Sequence, residues 1–193
     1  MIAHRGASGT CPENTLAAFR RAEALGAAMV ELDVQLTRDG QVVVIHDLLL
    51  DRTTDGTGPV GDRSLEELRA LDAGRWFSSA FAGERIPLLA DVLDAVSLAV
   101  NIELKAPVAE GLEARTLAVV LKAGALDRVV FSSFDPTALD RLRALSSAAT
   151  IGVLWEEHPI PMALRVAERV GARALHVRKD TATPETISLA RAA

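Results

Sequence analysis

The sequence predicts an α/β fold, a TIM-type (β/α) barrel, on three observations. Strand-like and helix-like segments alternate along most of the chain, the pattern of a parallel sheet wrapped by helices. Two short runs, Val30-Glu31-Leu32-Asp33-Val34 and Asn101-Ile102-Glu103-Leu104-Lys105, alternate apolar and polar residues with a period of two. No glycine-rich phosphate loop follows the first strand, which argues against an open dinucleotide-binding sheet.

The elements follow in order. Ile2 to His4 is a short first strand. Pro12-Glu13 opens a helix, Pro suiting the first helical position, and Leu16, Phe19, Ala22 and Leu25 recur on one face until Gly26 ends it. Met29 to Leu36 is the second strand, Arg38-Asp39-Gly40 a turn and Val42 to Ile45 the third strand. These two strands lie too close for a helical crossover, so they form a hairpin or flank an exceptionally tight connection. The stretch from Asp51 to Pro87 is rich in Thr, Gly, Ser and Arg, with a short helix near Ser64 to Leu71. It is expected as an insertion over one rim, inside a single domain spanning residues 1–193.

The regular alternation then resumes. A helix at Leu88 to Val96 leads to a strand at Val100 to Leu104, and a helix from Glu110 to Ala123 follows. Next come a strand at Val129 to Ser132, a helix opened by Asp135-Pro136, and a strand at Ile151 to Leu154. A helix at Pro161 to Val170, a strand at Ala174 to Val177 and a helix opened by Thr183-Pro184 complete the chain. That makes seven strands of an expected eight, the eighth strand and its helix being absent from the 193 residues.

Bulk composition narrows the function classes. Hydrophobic residues make up 49% and charged residues 24%, the balance of a globular domain with a substantial core. A net charge of −5, with no basic patch, argues against nucleic acid as a partner. The single cysteine, Cys11, excludes an intramolecular disulfide and a cysteine-based zinc site. No stretch has the length of a membrane span, and Met1-Ile2-Ala3-His4-Arg5 does not resemble a signal peptide. A cytoplasmic protein is the expectation.

The two alternating runs carry the chemistry. In a strand, neighbouring side chains point to opposite faces, so Glu31 and Asp33 share one face and Asn101, Glu103 and Lys105 another. A surface strand shows the same alternation. In a sheet covered by helices on one side, however, the charged face looks into the barrel, where carboxylates need a cation or a proton. Active sites of such barrels collect at the carboxyl ends of the strands. Those ends offer His4 and Arg5, Glu31 and Asp33, His46 and Asp47, and Glu103 and Lys105. His46 shares strand parity with Val42 and Val44, and two of the four histidines stand at strand ends. Of the 21 basic residues only Lys105, Lys122 and Lys179 are lysines, so a lysine beside Glu103 stands out.

In these residues the chain resembles the glycerophosphodiester phosphodiesterases. The resemblance lies in His4-Arg5-Gly6 with Pro12-Glu13-Asn14-Thr15, then Glu31-x-Asp33, His46-Asp47, Arg52-Thr53-Thr54 with Gly56-x-Gly58, and Glu103-x-Lys105. Any one piece is common; the set, in this order, is specific, and it covers about the first 105 residues. Ser132-Ser133-Phe134 is similar but weakly diagnostic. The resemblance implies a barrel with a small insertion after the third strand, and hydrolysis of glycerophosphodiesters to glycerol 3-phosphate and an alcohol.

It also implies roles. Glu31, Asp33 and Glu103 would bind one divalent cation, and an all-oxygen set suits Mg²⁺ or Ca²⁺. Arg5 and Lys105 would neutralise the substrate phosphate, and His4 and His46 would act as general base and general acid in either order. Glu13, Asn14 and Asp47 are expected in support, Glu13 complementing the dipole of the first helix and Asn14 orienting the loop that carries Arg5. The small-molecule diester is the expected partner.

Two other readings compete: a barrel that binds a phosphate ligand without turnover, and a lipid-directed phosphodiesterase of the same superfamily, which would favour an exposed apolar rim. His158 and His176 have no acidic partner at a strand end and read as structural, and Cys11 as inert. Trp76, Phe77 and Phe81 read as packing of the insertion, and Arg141, Arg143, Arg165 and Arg169 as solvated helix faces.

Overall fold

The computed structural model describes residues 1–156 and 159–192, so His158 lies outside the described residues. The β-branched runs of the sequence form seven strands: β1 (Ile2–His4), β2 (Met29–Leu36), β3 (Val42–Val44), β4 (Ala99–Leu104), β5 (Val129–Ser133), β6 (Thr150–Trp155) and β7 (Ala174–Val177). Seven α-helices accompany them: α1 (Leu16–Ala24), α2 (Leu65–Arg69), α3 (Leu89–Ala95), α4 (Leu112–Lys122), α5 (Pro136–Leu145), α6 (Ile160–Val170) and α7 (Pro184–Ala192). Among the described residues none is long and apolar enough to cross a membrane.

Parallel pairing runs in the order β1-β2-β4-β5-β6-β7. β3 stands apart, folded back antiparallel on β2 with Val34 opposite Val44 and Leu36 opposite Val42. The wall therefore consists of six parallel strands plus one hairpin strand, rather than seven equivalent staves. The turn between β2 and β3 closes through the Gly40 N–H, which donates to the Thr37 carbonyl at 2.9 Å, with Gly40 at φ +73°. β3 ends at Val44, so His46 lies beyond the strand, and strand parity does not fix its direction.

The alternation of β2 and β4 divides the sheet into two chemical faces. Val30, Leu32, Val34, Val100, Ile102 and Leu104 are fully buried beneath the helices, packing with Phe19, Leu89 and Val120. Each such side chain contributes about 1.5–3 kcal/mol on leaving water. The opposite face is polar and equally buried: Glu31, Asp33, Asn101, Glu103 and Ser132 are each less than a tenth exposed. Pairing brings them side by side, with Glu31 opposite Asn101, Asp33 opposite Glu103, and Glu103 opposite Ser132.

The segment from 51 to 87 has its own small core, in which Val60, Leu68, Ala73 and Ile86 pack on Val43, Ile45 and Leu50. Asp72 organises it by accepting backbone N–H groups from Gly74, Arg75 and Gly83. Trp76, Phe77 and Phe81 stack edge to face, but Trp76 stays 40% exposed. Leu48 and Leu49, just ahead of this segment, are about half exposed at 47% and 50%.

Three local expectations change. α1 starts at Leu16 behind a Thr15 cap, not at Pro12, and Leu25 is exposed at its end. Glu13 therefore sits outside the helix and does not serve its dipole. Arg143 is not simply solvated: it donates to the carbonyls of Val170, Ser147 and Gly171, and Arg141 binds the buried Glu113.

Candidate active site

The site begins with backbone geometry. Arg5 and Asn14 both adopt left-handed conformations, at φ +58° and +56°, which arginine rarely does. Asn14 donates its backbone N–H to the Arg5 carbonyl at 3.1 Å, and its side-chain amide to Asp33 Oδ2 at 2.8 Å. The turn aims the Arg5 backbone N–H at Glu31 Oε2, 2.9 Å away. Gly6 makes this possible, because a Cβ there would stand 2.7 Å from the Ala18 backbone and Gly6 itself has φ +80°. Asn14 thus orients the Arg5 loop, and does so by tying it to a carboxylate.

Glu31, Asp33 and Glu103 then converge. One oxygen from each lies within 4.8 Å of the others. Lys105 Nζ donates to Glu103 Oε1 at 2.7 Å and lies 3.5 Å from Asp33 Oδ1. Arg5 Nε is 3.5 Å from Asp33 Oδ2. Two cations facing three buried carboxylates leave the cluster short of positive charge. Burial, and then the neighbouring Asp33, push the Glu31 carboxyl up to about 8, and the same causes raise Glu103. Glu31 Oε1 and Asp33 Oδ1 are buried with no hydrogen-bond partner. Orphaned acceptors on an all-oxygen donor set fit a hard divalent cation, which takes several oxygen ligands.

The histidines stand at the mouth of this hollow. His4 Nε2 is 3.8 Å from Glu31 Oε2, with its side chain 69% exposed. Partial burial, followed by the Arg5 charge, holds His4 below its ordinary value. His46 faces Asp47 through Nδ1 at 2.6 Å, which leaves Nε2 free for chemistry.

A chain of ion pairs connects the two sides. Arg52 donates to both oxygens of Asp47, at 2.6 and 3.0 Å, and to both oxygens of Glu13, at 2.7 and 2.9 Å. Glu13 in turn accepts Arg5 Nη1 at 2.8 Å. The bonds from Arg52 and His46 outweigh burial and hold Asp47 well below the usual carboxylate range. Burial works to raise Glu13, but its bonds to Arg52 and Arg5 prevail and keep it ionised at lower pH than usual.

All ten residues expected at the site meet here, with His4, Arg5, Glu31, Asp33, Glu103 and Lys105 in one cluster and His46 with Asp47 joined to it through Arg52 and Glu13. Arg52 was present in the motif but received no role; its proximity to two acids was the available signal. Gln35 was missed as well. It continues the Glu31-Asp33 parity, and its amide nitrogen donates toward the carbonyls of Ile45, His46 and Asp47, holding the histidine loop. Asn101 and Ser132 line the hollow with an unpartnered oxygen each. His176 lies on the same inner face, 3.1 Å from where a Gly152 Cβ would sit, and burial lowers it.

Residues 4–193 match the model of the glycerophosphoryl diester phosphodiesterase family. The chain belongs to that family. A glycerophosphodiester phosphodiesterase from Caldanaerobacter subterraneus subsp. tengcongensis is 45% identical over 86% of this chain and 72% of its own. One from Bacillus subtilis is 37% identical over 75% of this chain and 55% of its own. Among solved structures, a phosphodiesterase from Oleispira antarctica in complex with the product sn-glycerol-3-phosphate superimposes with a TM-score of 0.91. It shares 36% identity, over 99% of this chain and 79% of that one. The curled parallel sheet with its helices thus matches the barrel-like fold of that relative.

Proposed function

We propose that this chain hydrolyses glycerophosphodiesters to glycerol 3-phosphate and an alcohol, with Glu31, Asp33 and Glu103 holding one divalent cation. The observation that carries the reading is the meeting of these three buried carboxylates, two of them with orphaned oxygens, beside two histidines. Family membership and the product held by the Oleispira relative support it. Bound there, Mg²⁺ or Ca²⁺ supplies charge neutralisation and Lewis-acid polarisation to the phosphoryl group.

The chain's own residues do the rest. Arg5 and Lys105 sit on opposite sides of Asp33 and present two cations to the remaining phosphate charge. One histidine takes the proton of the attacking hydroxyl, either from water directly or from the neighbouring glycerol oxygen. In the latter case a cyclic glycerol phosphate forms first, and water then opens it to glycerol 3-phosphate. The other histidine returns a proton to the departing alcohol oxygen as the P–O bond breaks. Asp47 holds the His46 ring with Nδ1 engaged, so that Nε2 faces the reaction.

The test is incubation with glycerophosphocholine, with and without chelator, reading release of glycerol 3-phosphate. Release that stops with chelator and returns with Mg²⁺ or Ca²⁺ is expected. Saturable binding of the diester with no product, whatever the metal, overturns the hydrolytic reading.

A further inference from the structure

β3 ends at Val44, two residues short of His46, and what holds the chain beyond it comes from β2. Ile45 still donates its N–H to the Asp33 carbonyl at 3.0 Å. Past that point the side chain of Gln35 takes over. Gln35 is 7% exposed and stands two residues after Asp33, on the same face of β2. Its amide nitrogen lies 3.0 Å from the Ile45 carbonyl oxygen, 3.1 Å from that of His46 and 2.7 Å from that of Asp47. A side-chain amide has two protons to give, so three successive carbonyls share them and the backbone curls around one nitrogen.

That nitrogen joins two halves of the site. β2 already carries Glu31 and Asp33 of the carboxylate cluster, and from the same face it grips the backbone of His46. Asp47, which engages His46 Nδ1 at 2.6 Å, is gripped through its own carbonyl as well. On its other side His46 borders a small cavity with Glu13 and Asn14, and Asn14 donates to Asp33. The place of His46 Nε2 relative to the carboxylates is therefore set from one strand. With an apolar side chain at position 35, the three carbonyls lose their shared donor and the curl loses its centre. Misplacing a reacting group by about 1 Å can cost about 10²-fold in rate.

We propose that Gln35 is a positioning residue: its amide keeps His46 in register with the strand that holds the cation, acting on the backbone of 45–47 rather than on the substrate. This rests on the hydrolytic reading given above. The test compares Gln35→Met, which keeps the length and removes the donor, with His46→Ala and the double variant, using glycerophosphocholine at saturating Mg²⁺. Gln35→Met is expected to lower kcat about 10- to 100-fold and to leave KM within about three-fold. In the His46→Ala background the same substitution should cost less than about three-fold, because the residue through which it acts is gone. A side chain that merely braced the hairpin would lose rate by the same factor in both backgrounds. That result, or wild-type kcat in Gln35→Met, overturns the assignment. Should Gln35→Met not fold, Gln35→Asn draws the amide back by one methylene and is put through the same cycle.

Turnover is not the only readout. In the wild type the ring signals of His46 are expected as one sharp set in the NMR spectrum. Gln35→Met should shift them and broaden or double them, while those of His4 stay in place. Unchanged His46 signals overturn the assignment. If the wild type cleaves no diester, the hydrolytic reading falls while the His46 signals still decide what Gln35 holds. If diesters are cleaved and Gln35→Met is as fast as the wild type, the Gln35 assignment falls alone.

Discussion

Arg52 and Glu13 face each other with both carboxylate oxygens engaged, at 2.7 and 2.9 Å, although 39 residues separate them in the chain. Each reaches on to a different part of the site: Arg52 to Asp47 behind His46, and Glu13 to Arg5 beside Asp33. Arg52 is half exposed, but its bonds are bidentate and belong to a network, the setting in which such pairs count for more than isolated surface pairs.

Arg52→Ala is therefore expected to lower kcat by about 10- to 100-fold with a smaller change in KM, since it releases Asp47 and Glu13 without touching substrate. Arg52→Lys should recover only part of this, because an ammonium cannot reproduce two planar forks. The Arg52→Ala/Glu13→Ala double variant should lose less than the sum of the single losses. Steady-state kinetics with wild-type values for Arg52→Ala would dismiss the network as decoration.

For the proton-transfer pair, His4→Ala and His46→Ala should each cut kcat by about 10²–10⁴-fold. Neither side chain is part of the core, so melting temperatures should change little. Activity within a few-fold of wild type in either variant refutes that assignment.

The cluster makes a stability prediction whose sign can be worked out. Burial and the neighbouring Asp33 push the folded carboxyl of Glu31 up to about 8, against an ordinary 4.5, so between those limits the folded state binds more protons than the unfolded state. Stability from this group is present at low pH and lost as pH rises through 8. His4 and His176, both lowered from 6.5, oppose this trend only below about pH 6.5. Chelated protein should therefore melt at lower temperature at pH 8 than at pH 6.5. Saturating Mg²⁺ or Ca²⁺ should remove that decline, and Glu31→Gln should lessen it, Glu103 being raised as well; an undiminished decline in Glu31→Gln would place its origin elsewhere.

Gly6→Ala is expected to destabilise by at least about 1–3 kcal/mol, since the new methyl meets the Ala18 backbone at 2.7 Å in a left-handed conformation. Because Gly6 follows Arg5, the variant should also weaken metal-dependent stabilisation. A melting curve that overlays the wild type would show that the turn relaxes freely.

Much of this was legible in the sequence because strand parity is a local rule. Period alone set Glu31 with Asp33 on one face of their strand and Glu103 with Lys105 on one face of theirs, and the parallel pairing of β2 with β4 joins the two faces. The β3 hairpin was legible as one of two options, since the five residues between Leu36 and Val42 leave no room for a crossover. Glu13 was misplaced because Pro12 resembles a helix start, whereas Thr15 provides the cap. Arg52 and Gln35 act through partners brought close only by the folded insertion and hairpin, and no short-range pattern marks such contacts. The exposed Leu48 and Leu49 escaped for the same reason, as the run of three leucines from Leu48 to the buried Leu50 reads equally well as core throughout.

The two-faced strand β2 also constrains how its sequence can change. Val30, Leu32 and Val34 alternate with Glu31 and Asp33, so the oily and acidic sets are one residue out of phase. Deleting or inserting a single codon within β2 would exchange them wholesale, driving the acids beneath the helices and the valines into the hollow. Point substitutions can tune this strand, but its spacing tolerates no drift.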